Sequence, residues 1–237
     1  MTATAIAQLY LSRLVLNPRS RRVRSDLANP YDMHRTLLGA FPALPERTSF
    51  RKHTGLLYRV DDDVRGGRTV VLVQSQEQPD WAFLCDQDYL VDQNSKPIAA
   101  QYERLATGQV LSFRLRANVT KKIDTKTGSD GKRRHGRRVS LRRPEEQIDW
   151  VKRKGMEAGF ALSRTRDWDS LDCRASPEQD VKARRERGAA TMTFGSVLFE
   201  GRLEVTSREM FIAALVNGIG SAKAFGFGLL SVAPVRS

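Results

Sequence analysis

Cysteine and histidine are scarce in this chain, and the scarcity narrows its chemistry. Cys85 and Cys173 are the two cysteines in 237 residues, and they lie far apart. A disulfide framework or a zinc knuckle needs more thiols at closer spacing, which excludes both. The three histidines, His34, His53 and His135, show no metal-ligand spacing. The expectation is a reduced, cytoplasmic protein with no metal and no cofactor. No apolar run reaches the length of a membrane span. Met1–Ala7 holds no basic residue, and Arg13 interrupts the apolar stretch that follows, so neither a signal peptide nor a membrane anchor is expected.

Acidic residues are also in deficit. Asp and Glu number 27 against 40 Lys and Arg, a net charge of +13. Such an excess calls for a polyanionic partner. The excess is clustered in Arg19–Arg24, Lys121–Arg143 and Lys182–Arg187. Charge runs are ordinarily just solvated. Three of them in a chain of this charge are better explained by phosphate contacts, which favours nucleic acid over a membrane surface.

Hydrophobic patterning then sets the elements. Gln8–Leu16 reads as a buried strand, followed by a loop carrying Arg19–Arg24. Asn29 and Pro30 open a helix as N-cap and first helical residue, and Pro42 closes it after Ala40. Gly55–Val60 and Thr69–Gln74 read as a hairpin around the polar turn Asp61–Gly67, while Asp80–Ala100 gives no clear pattern. Gly108–Ala117 alternates as a strand. Lys121–Arg143 reads as an exposed loop or hairpin arm. A helix opens at Pro144 with Glu145 and Glu146 in its first turn, a strand covers Phe160–Arg166, and Asp167–Arg187 reads as a polar loop. Thr191–Val205 is a long strand or a pair, a helix runs from Ser207 to Asn217, and a last strand covers Gly228–Ala233. The second half is thus β-α-β-β-α-β, and the first half begins the same way. The fold class is α+β, with two tandem ferredoxin-like, RRM-like domains expected over residues 1–105 and 106–237.

Two stretches could carry chemistry. GIGSAKAFGFGLL, Gly218–Leu230, joins a helix to a strand and lacks the third glycine of a dinucleotide fingerprint. It also lacks the Gly-Lys-Ser/Thr of a P-loop. The loop has two open readings. Gly218, Gly220, Gly226 and Gly228 could let backbone N–H groups approach a phosphate, with Lys223 adding charge. Alternatively they serve a helix C-cap and a tight strand entry. The second stretch is Tyr31 with His34, three apart on one helix face within its first turns, where helix N–H groups favour phosphate. Histidine can exchange a proton near neutral pH, although a surface histidine beside a half-buried tyrosine is the simpler alternative. His53 and His135 have weaker claims, and Asp61, Asp62 and Asp63 read as turn residues rather than metal ligands.

RSDLANPYDMHRTL (Arg24–Leu37), FRLRAN (Phe113–Asn118), LFEGRLEV (Leu198–Val205) and GIGSAKAFGFGLLSVAP (Gly218–Pro234) occur in this order. Together they resemble the CasE family, the CRISPR-repeat endoribonucleases of type I-E systems, over nearly the whole chain. The resemblance implies recognition of a CRISPR repeat RNA hairpin, one cut at the base of its stem, and retention of the mature crRNA alongside the other Cascade subunits. It maps the catalytic pair onto Tyr31 and His34 and the RNA-facing loop onto Gly218–Gly228. Arg24, Lys121, Lys122, Arg133, Arg134, Arg137, Arg138, Arg184, Arg185 and Lys223 are the expected RNA-binding cations. Two departures stand out: Gly39 occupies a position where some members carry lysine, so that charge must be absent or come from Lys223 or Arg24, and Val119 follows FRLRAN where many relatives have proline.

The expected reaction is metal-independent attack of a ribose 2′-OH on the adjacent phosphorus. The rival reading is a non-catalytic RNA-binding protein of RRM-like domains, with a DNA-binding protein as a further alternative.

Overall fold

The structure is a computed structural model and describes residues 8–42, 54–63, 67–123, 137–165, 167, 170–186 and 188–235. In the first half, β1 (Tyr10–Leu16) lies at the centre of a sheet with β2 (Leu57–Asp63), β3 (Arg68–Ser75) and β4 (Leu90–Pro97) in the order β2-β3-β1-β4. Every neighbouring pair is antiparallel. Among the described residues, α1 (Arg21–Ala28) and α2 (Pro30–Leu38) lie between β1 and β2, and the short α3 (Ala82–Asp86) lies between β3 and β4. Leu14, Leu16, Val71 and Val73 of the sheet meet Val23, Met33, Leu37 and Leu84 of the helices in one core.

After the short α4 (Ala99–Glu103), the second half repeats this order. Its main strands are β5 (Val110–Ala117), β8 (Phe160–Leu162), β10 (Met192–Val205) and β11 (Leu230–Pro234), arranged β11-β5-β10-β8. Strict alternation in β5 buries Leu111, Phe113, Leu115 and Ala117 against α5 (Pro144–Glu157) and α6 (Arg208–Asn217). Trp150 of α5 stacks on Phe199, with centroids 6.1 Å apart. The strand orders of the two halves are those of two ferredoxin-like folds. The sequence expectation of the basic arm as a hairpin holds at its base: β6 (Thr120–Ile123) pairs with β7 (Arg137–Ser140).

Three segments differ from the sequence reading. Arg19–Arg24, expected as loop, contributes to α1, because Val23 and Asp26 three apart give that helix a buried edge despite its arginines. Within Asp167–Arg187, also expected as loop, lies β9 (Cys173–Ala183). Its charged alternation hides the fact that it resumes the edge begun by β8, pairing from Gly201↔Cys173 to Met192↔Ala183 along the 14-residue β10. The unreadable Asp80–Ala100 supplies α3 and β4. The latter is exposed at all but its first residue, so no apolar alternation marks it.

The halves are stitched together along β2, β5 and the glycine loop. Arg59, only 3% exposed, pairs with Asp61 and donates across the seam to Leu229 O at 3.3 Å and Ser231 Oγ at 3.0 Å. Arg116 returns a bond to Val60 O at 2.6 Å and pairs with Glu178 at 2.7 Å. A buried guanidinium left unpaired would be costly, and that of Arg59 is bonded on both sides of the seam.

Candidate active site

Asn29 is extended, with φ −137° and ψ 98°, and Pro30 follows with a backbone preorganised for α2. Met33, Thr36 and Leu37 fix the buried face of that helix. Tyr31 and His34 therefore fall on its flank, each half-buried. The His34 ring lies 6.4 Å from that of Tyr58 on β2, with an 18° angle between planes. Tyr58 is itself 1% exposed. Its hydroxyl donates to Pro30 O at 3.1 Å, with Ala224 O as a second acceptor at 3.4 Å. Burial, and next the charge of Asp26, push the Tyr58 phenol well above its ordinary range, so it stays a protonated donor.

Ala224 belongs to the 3-10 turn Lys223–Phe225, which brings the glycine loop against α2 and β2. Gly218, Gly220, Gly226 and Gly228 all have φ between +73° and +88°. A Cβ on Gly228 would lie 2.7 Å from Ile219 O, one on Gly218 2.8 Å from Gly228 O, and one on Gly226 3.2 Å from the Tyr58 ring. Ile219 N donates to Gly228 O, and Gly228 N to Arg116 O, both at 2.8 Å. Packing and backbone conformation thus account for these glycines, whatever else the loop binds. Phe225 stacks on Phe194 of β10 at 4.7 Å and anchors the turn from its other side.

The expected cations differ in how they are held. Arg24 donates to Pro18 O and Arg19 O, both at 2.9 Å. Lys223 donates to Asn217 O at 2.6 Å, at the end of α6. Lys121 pairs with Glu146 at 3.1 Å, and Arg138 reaches Thr120 at 3.4 Å. Lys122, Arg184 and Arg185 are exposed, with Arg184 bound through Nε to Thr191 at 2.7 Å. Arg137 belongs to β7. Arg133, Arg134, His53 and His135 lie outside the described residues.

Asp61, Asp62 and Asp63, expected in the turn, instead extend β2, because the ladder to β3 continues opposite Val70, Thr69 and Arg68. Asp61 is taken by Arg59, and Asp62 accepts from Thr69 at 3.4 Å. Gly39 abuts Phe83, where a Cβ would meet the ring at 3.1 Å, so the missing lysine coincides with a packed aromatic edge. A cleft of about 610 Å3 opens beside the site, lined among others by Asp26, Met33, Tyr58, Arg116, Lys182 and Phe225. Sequence reasoning brought Tyr31, His34 and the loop together but missed Tyr58, whose only signal was a tyrosine inside an ordinary strand.

The fold and this site define a two-part ferredoxin-like protein with a Tyr-x-x-His helix set against a glycine-rich loop. The family of CRISPR associated proteins matches residues 9–234, and the chain belongs to it. The chain is 39% identical to the CRISPR-associated endoribonuclease Cse3 of Thermus thermophilus, over 95% of this chain and all of the relative. It is 29% identical to the Cascade subunit CasE of Escherichia coli K12, over 96% of this chain and all of that one. Among solved structures, Thermus thermophilus Cse3 bound to an RNA representing a pre-cleavage complex superposes with a TM-score of 0.75 at 39% identity, covering 96% of this chain and 100% of the other. Cas6e from Escherichia coli K-12 gives 0.65 at 25% identity, covering 95% of this chain and 100% of the other.

Proposed function

We propose that this protein is an endoribonuclease that binds the stem-loop of a CRISPR repeat transcript, cuts it once, and keeps the mature crRNA as a subunit of a Cascade complex in the cytoplasm. Its relatives named Cse3 and CasE support the class of reaction and the assembly. The observation that carries the assignment of the site is the packing of α2, which bears Tyr31 and His34, against the turn Lys223–Phe225, with buried Tyr58 bonded to both. The domain boundary proposed with it falls between residues 105 and 106.

In this reading the 2′-oxygen attacks phosphorus, the P–O5′ bond breaks, and the products are a 2′,3′-cyclic phosphate and a 5′-OH. His34 takes the 2′-OH proton or protonates the departing 5′-oxygen, and Tyr31 positions the phosphate or completes the proton transfer. The start of α2 and nearby cations stabilise the charge that develops on the phosphoryl oxygens. No metal takes part. Arg24, Lys121, Lys122, Arg133, Arg134, Arg137, Arg138, Arg184 and Arg185 hold the stem by its backbone, because the A-form major groove is too narrow for side chains to read. Gly218, Gly220, Lys223, Gly226 and Gly228 face the cut, and the adjoining cleft gives the unpaired strand a way out.

The test is incubation of a labelled repeat hairpin with the protein in EDTA, followed by end-group analysis. Cyclic phosphate and 5′-OH ends are expected, with no cutting when the nucleotide at the cleavage site is 2′-deoxy. Binding without cutting in EDTA would favour the non-catalytic or metal-dependent alternatives.

A further inference from the structure

Asn29 stands at the corner between α1 and α2, where a side chain ordinarily caps the helix that follows. It makes no such bond. Its amide crosses to the other half of the chain: Nδ2 donates to Arg184 O at 2.9 Å, and Arg184 N donates to Oδ1 at 3.0 Å. The side chain thus engages both backbone groups of one residue, as a neighbouring strand would. Asp32, in the first turn of α2, accepts a further Nδ2 bond at 2.7 Å. That third bond fixes which way the amide faces, since the flipped orientation would set its oxygen against two acceptors.

Each end of this clamp is attached to something the reaction needs. Asn29 O accepts from Asp32 N at 2.9 Å and from Met33 N at 3.2 Å, so a displacement of Asn29 carries the first turn of α2, and Tyr31, with it. Arg184 lies one residue beyond β9, where its Nε bond to Thr191 spans the turn towards β10, and it stands beside exposed Arg185. We infer that Asn29 is a positioning residue that couples RNA engagement by the Arg184–Arg185 turn to the placement of Tyr31 and His34. This rests on the site proposed above. The clamp uses the backbone of Arg184 and leaves its charge out. Affinity and geometry are therefore separable by mutation.

The test is single-turnover cleavage of a CRISPR repeat hairpin that the wild-type protein cuts, with protein in excess, alongside direct binding. Asn29→Ala should lower the rate constant at saturation roughly ten- to a hundredfold, as expected for a misplaced catalytic group, with affinity and the pH-rate midpoint unchanged. Asn29→Asp keeps the acceptor but turns an oxygen towards Arg184 O and Asp32, and should be at least as slow. Arg184→Ala combined with Arg185→Ala should weaken binding and also lower the saturated rate constant, because the engagement that the clamp transmits is lost. In an Asn29→Ala background the same pair should weaken binding with no further fall in the rate constant. A wild-type rate constant in Asn29→Ala would overturn the inference. So would a reduced reactive fraction with an unchanged rate constant, which marks a merely structural residue. His34→Ala is the separate control: if it cuts normally, the site assignment fails regardless of how Asn29 variants behave.

Discussion

The ring of His34 lies nearly parallel to that of Tyr58, 6.4 Å away, and the Tyr58 hydroxyl reaches across to Pro30 and Ala224. One buried phenol therefore supports the histidine with its face and joins α2 to the glycine loop with its edge. Removing only the edge separates these roles. Tyr58→Phe keeps the ring and loses a buried hydrogen bond, a cost of about 1 kcal/mol in stability. Leaving Pro30 O and Ala224 O without that donor should also loosen helix against loop, so single-turnover cleavage should slow more than the melting shift alone explains. Tyr58→Ala removes the ring as well and should cost about 3–5 kcal/mol. Thermal unfolding and cleavage kinetics on the same preparations check both.

The same phenol sets an alkaline limit on the fold. Tyr58 and Tyr89 are both pushed upward, first by burial and next by the Asp26 carboxylate, which accepts the Tyr89 hydroxyl at 2.8 Å. Their contribution is complete below the unfolded tyrosine value of about 10. Above it the unfolded chain releases protons that the folded chain retains, and stability falls as pH rises further. Urea midpoints measured from pH 8 to 11 should decline above pH 10, and Tyr58→Phe should flatten the decline. An equal slope in wild type and variant would mean that Tyr58 is not the group responsible.

These two tyrosines also mark where the sequence stopped being informative. The strands β1, β3, β5 and β10 and the helices α2, α5 and α6 were readable because apolar residues recur at the period of the element. The pair Tyr31 and His34 could be singled out because a helix start and an i, i+3 spacing are local, but the proposed catalytic role came from the family resemblance and not from that spacing. Tyr58 acts through Pro30 and Ala224, which are 28 and 166 residues away in the chain. No local pattern encodes such partners. The strand β9 was missed for a related reason: its reason to be extended is the open edge of β10, beyond the reach of its own charged sequence. The glycine loop was legible as glycine-rich but not as packed, since only the fold brings Gly226 up to Tyr58 and Gly228 up to Ile219.

Those contacts order the glycine variants. At Gly218 and Gly228 an added Cβ would meet a carbonyl oxygen at 2.8 and 2.7 Å, on a backbone with φ of +73° and +88°. Rigid backbone cannot give way, so Gly218→Ala and Gly228→Ala should each destabilise by more than the roughly 1–2 kcal/mol of left-handed strain alone. At Gly226 the neighbour is the Tyr58 ring at 3.2 Å, and at Gly220 the Trp150 ring at 3.3 Å. Side chains can shift by tenths of an ångström, so these two should stay near the strain cost. Gly226→Ala should nevertheless slow cleavage more than Gly220→Ala, because the ring it displaces lies under His34. Melting temperatures and single-turnover rates, compared across the four variants, decide the order.

The proposed RNA contacts make a prediction in salt. If Lys122, Arg184 and Arg185 each neutralise a phosphate, each releases counterions on binding. Affinity should then fall linearly with salt on logarithmic axes. Each charge removed should reduce that slope by about 0.7–0.9. Lys121 already pairs with Glu146 in the free protein, so reaching a phosphate requires giving up that pair, and Lys121→Ala should change the slope less than Arg185→Ala. Arg24 is held by Pro18 O and Arg19 O but has no acidic partner in those bonds, so its charge stays available and Arg24→Ala should behave like Arg185→Ala. Binding isotherms of a repeat hairpin between 50 and 400 mM salt would measure these slopes directly, at roughly the ionic strengths where such screening operates. An identical slope for Lys122→Ala and wild type would remove the β6–β7 arm at that residue from the RNA interface, while leaving the chemistry proposed for Tyr31 and His34 untouched.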